Sequence, residues 1–232
     1  RSLTWLEQNT VNTQVAKKVF DQLSSSDVPV IGLTGTGGAG KSCLTDELVR
    51  SCLVEFPEKR IAIVSVDPSK RKTGGALLGD RMRMNAIHDS RVFMRSLATR
   101  RSHLATSAAL DNTVRLLKSS GFDLIFVETA GIGQSDSEIS DLVDLSVYVM
   151  TPEFGAATQL EKIDMIDFAD CIVINKFDKP GAEDALLAVR KQYQRGHLEF
   201  QSEAQTIPVF GVVANRFNDS GTNWFYHKLI ET

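Results

Sequence analysis

The sequence has few cysteines, little net charge and no long apolar runs, and each of these shortages excludes a class of protein. Cys43, Cys52 and Cys171 are the three cysteines among 232 residues. They are too scattered for a disulfide framework, and this usage is typical of a reducing, cytoplasmic compartment. The formal net charge is −3, so we expect no general affinity for nucleic acid. No apolar run approaches the ~20 residues that span a bilayer, so we expect no membrane partner.

Zinc ligands and a secretory signal are also missing from the pattern. The four histidines are scattered, and no Cys/His pair has the spacing of a zinc site. Residues 1–10 are polar and hold no apolar signal core. The sequence starts without an initiator Met, so we expect a processed chain or a domain excised from a larger fused protein.

What the sequence does contain is an alternation of short apolar runs with longer amphipathic ones. This pattern predicts an α/β fold in three layers, with a mostly parallel central sheet flanked by helices. The length suits one domain, with an N-terminal helix in residues 1–27 and a core in residues 28–232. The expected strands, apolar enough to be covered on both faces, are residues 28–33, 61–66, 92–97, 124–127, 145–150, 171–174 and 208–213. The expected core helices lie near residues 41–54, 103–119, 159–168, 182–193 and 223–230.

The loop after the first predicted strand matches a phosphate-binding motif in full. Residues 35–42 read Gly-Thr-Gly-Gly-Ala-Gly-Lys-Ser, which is G-x-x-x-x-G-K-[ST] between a strand and a helix. Glycines let backbone N–H groups converge on phosphate oxygens, and the helix N-terminus adds partial positive charge. We expect Lys41 to reach the β- and γ-phosphates and the Ser42 hydroxyl to bind Mg²⁺. With this motif, the expected fold is a three-layer P-loop NTPase, and residues 28–232 are expected to be its nucleotide-binding core. The expected nucleotide contacts in this P-loop are Gly35, Gly37, Gly38, Ala39, Gly40, Lys41, Ser42 and Cys43.

The motif in residues 35–42 has one alternative interpretation. The alternative to a phosphate site is a glycine-rich turn with an exposed lysine. For Cys43 we expect a side chain packed for structural reasons, with a backbone N–H that faces the α-phosphate.

The predicted strand at residues 124–127 is followed directly by an acid, Glu128, and a glycine, Gly131, comes three residues after that acid. Many nucleotide hydrolases use this spacing for an acid of the metal shell and a glycine N–H on the γ-phosphate. We therefore expect Glu128 to bind Mg²⁺ directly or through a water; the alternative is a carboxylate that caps the next turn. Ile132 stands where small signalling GTPases hold a water-orienting Gln, and Gln134 lies two residues further on. We therefore expect slow intrinsic nucleotide hydrolysis, with Gln134 as the candidate for orienting the attacking water. The alternative is that Gln134 is a solvated loop residue.

Residues 175–178 read Asn-Lys-Phe-Asp after a buried strand, which is the N-K-x-D pattern of guanine recognition. Asp178 can accept hydrogen bonds from guanine N1–H and N2–H₂, which adenine cannot supply. We expect Lys176 to lie over the ring and Asn175 to tie this loop to the P-loop. The backbone N–H of Ala214, after the last strand, is a candidate contact of guanine O6. The alternative for this four-residue pattern is a charged turn.

A mixed stretch of acids, bases and glycines follows the second strand. Asp67 stands at the carboxyl end of that strand, and Asp80 follows a glycine-rich loop. Both can join the Mg²⁺ shell or orient the attacking water, and Arg83 can offset phosphate charge in the transition state. The alternative is a solvated loop.

These residues together resemble the MeaB/ArgK-type metallochaperone GTPases, and most of all the GTPase domain of fused isobutyryl-CoA mutases. The resemblance spans nearly the whole chain and is carried by residues 66–81, 127–136 and 150–165. It implies a P-loop GTPase of the SIMIBI branch in which Asp67, Asp80 and Glu128 surround Mg²⁺. It also implies that residues 131–137 form a switch and that residues 152–163 form a further switch that signals to a mutase.

The resemblance implies the function as well: Mg²⁺-dependent hydrolysis of GTP to GDP and phosphate, coupled to an adenosylcobalamin-dependent acyl-CoA mutase. The GTPase would gate cobalamin loading and protection of an isobutyryl-CoA or methylmalonyl-CoA mutase, in trans or fused in cis. The chain lacks the D-x-H-x-x-G motif of cobalamin domains and has no room for a substrate barrel of ~250 residues. We therefore expect no cobalamin site in this chain. In stand-alone members of the family, longer extensions beyond the core support dimerisation. The sequence of this chain therefore leaves undecided whether it forms a homodimer.

Three other functions are compatible with the nucleotide motifs. A nickel-insertion GTPase of the same branch would need a Cys/His metal site. A kinase that acts on a transport protein would transfer phosphate to protein. A nucleotide-sensing scaffold would bind GTP with hardly any turnover, which the displaced Gln134 allows.

Overall fold

The computed structural model describes residues 27–68, 84–99, 103–129, 139–155, 160, 163, 165–198 and 206–232, with backbone only for residues 67–68, 98–99 and 103–108. Within these residues seven strands form one sheet in the order β3-β2-β4-β1-β5-β6-β7, and the neighbouring strands are parallel. The strands are β1 (Val30–Gly35), β2 (Ile61–Pro68), β3 (Val92–Thr99), β4 (Leu124–Thr129), β5 (Leu145–Met150), β6 (Cys171–Asn175) and β7 (Val209–Val212).

Helices cover both faces of the sheet. They are α1 (Lys41–Glu55), α2 (His103–Lys118), α3 (Met165–Phe168), α4 (Ala182–Gly196) and α5 (Ser220–Glu231), with short 3₁₀ helices at Ala86–His88 and Pro152–Phe154. Among the described residues no helix is long and apolar enough to cross a membrane. The predicted α/β fold with a parallel central sheet is confirmed.

The pleat of the strands distributes the core over the two faces, because successive side chains point in opposite directions. Leu33 of β1 belongs to a core cluster with Leu44 of α1 and Phe225 of α5. On the other face, Val64 of β2 clusters with Val114 of α2. The helices α3 and α4 cover that same face beside β5 and β6. Because the central strands are buried on both faces, their sequences read as nearly continuous apolar runs.

The helical stretch predicted near residues 159–168 is confirmed at Leu160 and over Met165–Phe168, and it is interrupted at Ile163, which is not helical. The Ile163 N–H donates to the carbonyl of Leu160, and the Ile166 N–H donates to the carbonyl of Ile163. These bonds span three residues, as in a 3₁₀ turn. Leu160 and Ile166 both lie in the core cluster beside β5 and β6, and Ile163 packs against it half-buried.

The predicted N-terminal helix in residues 1–27 lies outside the described residues, apart from Asp27, which is not helical. The other predicted helices begin at or within three residues of the predicted position, at Lys41, His103, Ala182 and Ser220.

Candidate nucleotide-binding site

The P-loop lies at the carboxyl edge of the sheet, between the end of β1 and the start of α1. Gly35 has φ +135°, and a Cβ there would lie 1.9 Å from the carbonyl oxygen of Val149. Gly40 has φ +91°, and a Cβ there would lie 2.4 Å from Asn175 Nδ2. Only glycine fits these two positions. A Cβ at Gly37 or Gly38 would meet nothing within 4 Å, so the middle of the loop faces open space that a ligand can fill.

The charged side chain of Lys41 is buried against this loop. Its side chain is only 7% exposed. Its Nζ donates to the carbonyl of Gly35 at 2.9 Å and to the carbonyl of Thr36 at 3.1 Å. The loop and its lysine are therefore organised as one unit.

Two members of the predicted metal set meet next to the P-loop. The Ser42 hydroxyl donates to Glu128 Oε1 at 2.7 Å, and Glu128 is 4% exposed at the end of β4. The two side chains meet because β4 pairs with β1 in the register Leu33↔Glu128. A hydroxyl and a carboxylate are hard oxygen donors of the kind that Mg²⁺ prefers. The chemistry of this pair fits the ion.

The N-K-x-D loop is attached to the P-loop through Asn175. This side chain is 3% exposed. Its Nδ2 donates to the carbonyl of Ala39 at 2.7 Å. Its Oδ1 accepts from the backbone N–H of Lys176 at 2.8 Å and of Ala214 at 3.0 Å. One amide thus connects the P-loop, the loop after β6 and the loop after β7.

The other three residues of the N-K-x-D loop each have a different environment. Lys176 has φ +58°, and its Nζ donates to the carbonyl of Gly38 at 2.9 Å. Phe177 packs on β7, where a Cβ at Gly211 would lie 2.6 Å from its ring. Asp178 follows in a turn with an exposed side chain. The carboxylate predicted to select guanine therefore faces solvent at the same edge as the P-loop.

An ion pair connects this loop to the segment after β5. The Lys179 ammonium donates to the Glu153 carboxylate, and this bond is the main reason that the pKa of Glu153 falls to about 2. A Cβ at Gly155 would lie 2.4 Å from the Cβ of Ala185 on α4, so the segment approaches α4 closely. Residues 152–155 belong to the second of the two segments that the family resemblance describes as switches.

Two of the predicted contacts differ from expectation. Cys43 is exposed rather than packed, because Leu44 and Thr45, the next two residues of α1, are the ones that face the core. The Ala214 N–H, predicted to reach guanine O6, donates instead to Asn175 Oδ1. Asp80, Arg83, Gly131 and Gln134 lie outside the described residues, and for Asp67 only the backbone, at the end of β2, is described.

A hydroxyl pair at the same edge was missed by the sequence reasoning. Thr129 Oγ1 donates to Thr34 Oγ1 at 2.8 Å, and Thr34 is fully buried. Thr34 leads into the P-loop, and Thr129 leads towards Gly131. The two residues are 95 positions apart, and only the pairing of β4 with β1 brings them together. No local pattern in the sequence could have shown this contact.

Replacing Asn175 with alanine is expected to destabilise the fold by about 2–4 kcal/mol, because it leaves buried backbone groups of Ala39 and Ala214 without their partner. Urea unfolding followed by circular dichroism measures this change. The matched control is Asn223→Ala, since Asn223 bonds to Asn218 on the exposed surface. We expect the control to stay within about 0.5 kcal/mol of the parent. An Asn175→Ala protein with the parent's urea midpoint would contradict the bridging role.

Comparisons with known proteins match nearly the whole chain to one family. The family model for the methylmalonyl-CoA mutase-associated GTPase MeaB matches residues 1–223. A fused isobutyryl-CoA mutase of Geobacillus kaustophilus is 55% identical over 227 residues, which are 97% of this chain and 21% of that protein. A fused isobutyryl-CoA mutase of Cupriavidus metallidurans is 52% identical over 98% of this chain and 21% of that protein. The chain thus spans about a fifth of the length of these relatives.

Shorter relatives are also similar in sequence, and solved structures share the fold. A putative GTPase of Pyrococcus horikoshii is 39% identical over 73% of this chain and 52% of that protein. The crystal structure of a LAO/AO transport system kinase has a TM-score of 0.71 and 24% identity over 99% of this chain and 68% of that chain. HypB from Helicobacter pylori, solved in complex with nickel, has a TM-score of 0.63 and 16% identity over 93% of this chain and 92% of that chain.

The family match covers nearly the whole chain, and the P-loop that it requires is present at the carboxyl edge of the sheet. This chain belongs to the MeaB family of methylmalonyl-CoA mutase-associated GTPases.

Proposed function

We propose that this chain binds guanine nucleotides with Mg²⁺ and hydrolyses GTP to GDP and phosphate. We propose further that this cycle gates cobalamin loading and protection of an adenosylcobalamin-dependent acyl-CoA mutase of the isobutyryl-CoA or methylmalonyl-CoA type. The observation that carries the proposal is the Asn175 bridge, because it sets a phosphate-binding loop and a guanine-selecting loop side by side.

The nucleotide would lie along the carboxyl edge, where parallel α/β sheets bind their ligands. Its phosphates would accept hydrogen bonds from the N–H groups of the P-loop and would lie at the N-terminus of α1, which favours negative charge. The base would reach Asp178, whose carboxylate accepts from the two donors that distinguish guanine from adenine. The Lys176 stem, which already spans from β6 to Gly38, would cover the ring.

The Ser42 hydroxyl and the Glu128 carboxylate would hold Mg²⁺, and Asp67 and Asp80 are the further acids of the proposed set. When bound, the ion neutralises charge on the phosphate oxygens. Ser42 and Glu128 already lie in hydrogen-bond contact, so the site needs little rearrangement on the protein side.

Hydrolysis would proceed by attack of water on the γ-phosphorus, with cleavage of its bond to the oxygen shared with the β-phosphate. Lys41 would stabilise the negative charge that develops on the phosphate oxygens, from a position that is already organised. The Gly131 N–H would contact the γ-phosphate, Gln134 or Asp80 would orient the water, and Arg83 would offset transition-state charge. Residues 131–137 and 152–163 would respond to loss of the γ-phosphate and pass that change to the mutase.

The long relatives support a mutase as the partner. Fused isobutyryl-CoA mutases contain a region more than half identical to this chain. These relatives support a mutase fused in cis, and a separate mutase in trans is the alternative form of the same partnership.

The test combines binding with turnover. Titration calorimetry should show binding of GDP and GTP, with ATP about 100-fold weaker or more, because adenine leaves the Asp178 carboxylate unpaired. Phosphate release from GTP should be slow for the chain alone and faster with an acyl-CoA mutase. Tighter binding of ATP would refute the guanine site. High turnover without any response to a mutase would refute the chaperone role, and transfer of γ-labelled phosphate to protein would favour a kinase instead.

A further inference from the structure

An aromatic side chain of the N-K-x-D loop lies in a notch on β7, which is the space left by the missing side chain of Gly211. The aromatic residue is Phe177, between Lys176 and Asp178. A Cβ at Gly211 would lie 2.6 Å from Cδ2 and Cε2 of the Phe177 ring and 2.7 Å from its Cγ. Carbon atoms that are not bonded to each other pack at about 3.5–4.0 Å. Any larger residue at position 211 would therefore displace the whole ring, including the atom at its root.

The glycine in this notch is explained by the ring and not by the backbone of β7. A glycine inside a strand weakens it, and such a glycine often marks a close approach by another group. Gly211 is the third residue of the four-residue strand β7 and pairs with Ile174 of β6. It is not among the glycines with a positive φ, so its backbone conformation does not require glycine. The group that approaches closely is the Phe177 ring.

The turn beside this ring holds an unfavourable backbone conformation. Lys176 has φ +58°, which residues other than glycine adopt rarely. Such a conformation persists only where its surroundings determine it. Before the turn, Asn175 Oδ1 accepts from the Lys176 N–H at 2.8 Å. After it, the Phe177 N–H donates to the Val212 carbonyl at 3.0 Å, and the ring lies on Gly211. Contacts on both sides therefore keep the turn in place.

Asp178, the proposed reader of the base, follows this ring directly. Its side chain is exposed, and no hydrogen bond or ion pair with another residue that the structure describes holds its carboxylate. Its direction therefore depends on the backbone that precedes it. We propose, on the basis of the proposed guanine site, that Phe177 is a positioning residue for base selection. Gly211 contributes by leaving room for the Phe177 ring.

Apolar packing alone explains this pair less well. Phe177 is only half-buried, at the border of the cluster beside β5 and β6. Two side chains of intermediate size at positions 177 and 211 would conserve the apolar volume, an exchange that proteins tolerate well. That exchange would also spare β7 a glycine. What it would not supply is a rigid ring seated against the backbone of the neighbouring strand, and a fixed direction for the next residue demands such a seat.

The first test measures the dissociation constants of GDP and ADP for Gly211→Ala and Phe177→Ala in the 232-residue chain. We expect each variant to lose about 10-fold of its preference for GDP over ADP, which is part of the 10²–10⁴ that a hydrogen-bonded site confers. The loss should come from weaker GDP binding, with ADP affinity within about 2-fold of the parent's, because adenine does not pair with Asp178. The single-turnover rate at saturating GTP should also stay within about 2-fold, since the P-loop binds the phosphates.

The matched control is Phe168→Ala. Phe168 ends α3 and is 59% exposed, so its truncation should leave the preference for GDP unchanged. A purely structural role of Phe177 and Gly211 would lower the urea midpoint of their variants and leave the ratio of the two dissociation constants at the parent's value. That result would overturn the inference.

The decisive measurement combines Gly211→Ala with Phe177→Ala. If Gly211→Ala acts by displacing the ring, it lowers the preference for GDP no further once the ring is gone, because residues in contact are not additive. The double variant should then match the single variants. Effects that multiply to about 100-fold would show that residue 211 acts independently of Phe177, and they would overturn the inference.

Phe177→Leu covers the case in which the alanine variants do not fold. Leucine stays apolar but fills only part of the notch, so we expect a preference for GDP about 3-fold lower. An unchanged preference here would overturn the inference. A parent chain that binds ADP as tightly as GDP refutes the proposed guanine site as well, whereas folded variants with the parent's preference refute this inference alone.

Discussion

Replacing Lys41 with alanine is expected to lower the single-turnover rate of GTP hydrolysis about 10²- to 10³-fold, the usual effect of removing one organised donor from a developing oxyanion. Lys41 is almost buried, and its Nζ already lies on the carbonyls of Gly35 and Thr36. The ammonium is therefore held at the P-loop, where the proposed β- and γ-phosphates would bind. Phosphate release at saturating GTP measures the effect, and GDP affinity measured in parallel separates catalysis from binding.

Lys59→Ala is the matched control for Lys41→Ala. Lys59 precedes β2, at the edge of the sheet opposite to the P-loop, and pairs with Asp123 at 2.8 Å on the surface. Exposed pairs of this kind contribute about 0–1 kcal/mol, so hydrolysis should be unchanged. A Lys41→Ala chain whose rate stays within about 3-fold of the parent, far short of the expected loss, would refute the role of Lys41.

Asp178→Asn is expected to change the base that this protein binds. The Asp178 carboxylate can accept from guanine N1–H and N2–H₂, whereas an asparagine in its place offers one acceptor and one donor. That pair matches xanthine, which has a carbonyl where guanine has its amino group. Unpaired polar groups in a built site cost about 10²–10⁴ in affinity. The affinity for GDP should fall by that factor. Xanthosine diphosphate should bind to the variant more tightly than it binds to the parent chain.

Titration calorimetry with both diphosphates measures this exchange of specificity. The control is Asp184→Asn, since Asp184 is an exposed acid in the first turn of α4 and the charge change is identical. It should leave both affinities unchanged. A variant at Asp178 that binds GDP as tightly as the parent does would show that this carboxylate does not read the base.

Much of the fold could be predicted from the sequence because its determinants are local. A strand covered on both faces has to be apolar throughout, and β5 accordingly runs from Leu145 to Met150 as predicted. The P-loop could be predicted because a loop that wraps phosphates needs glycine at positions such as Gly35 and Gly40. The start of α1 at Lys41 follows from the same motif. These features depend on backbone conformation within a few residues.

The errors arose where a local pattern competes with packing. The pattern of residues 159–168 predicts one continuous helical stretch, whereas hydrogen bonds that span three residues interrupt it at Ile163, between Leu160 and Ile166 of the cluster beside β5 and β6. The prediction that Cys43 is packed is the second error. The rotation of α1 turns Leu44 to the core instead, and rotation about a helix axis depends on contacts with the sheet.

The residue types needed for a guanine-nucleotide site, and the order in which they occur, are determined by the sequence alone. Their assembly was decided by the tertiary structure: Ser42 meets Glu128 across 86 positions, and Asn175 meets Ala39 across 136. Both contacts depend on the strand order, in which β1 lies between β4 and β5. Strand order follows from hydrogen bonds and side-chain packing between segments far apart in the chain, and no run of neighbouring residues records which strands will pair.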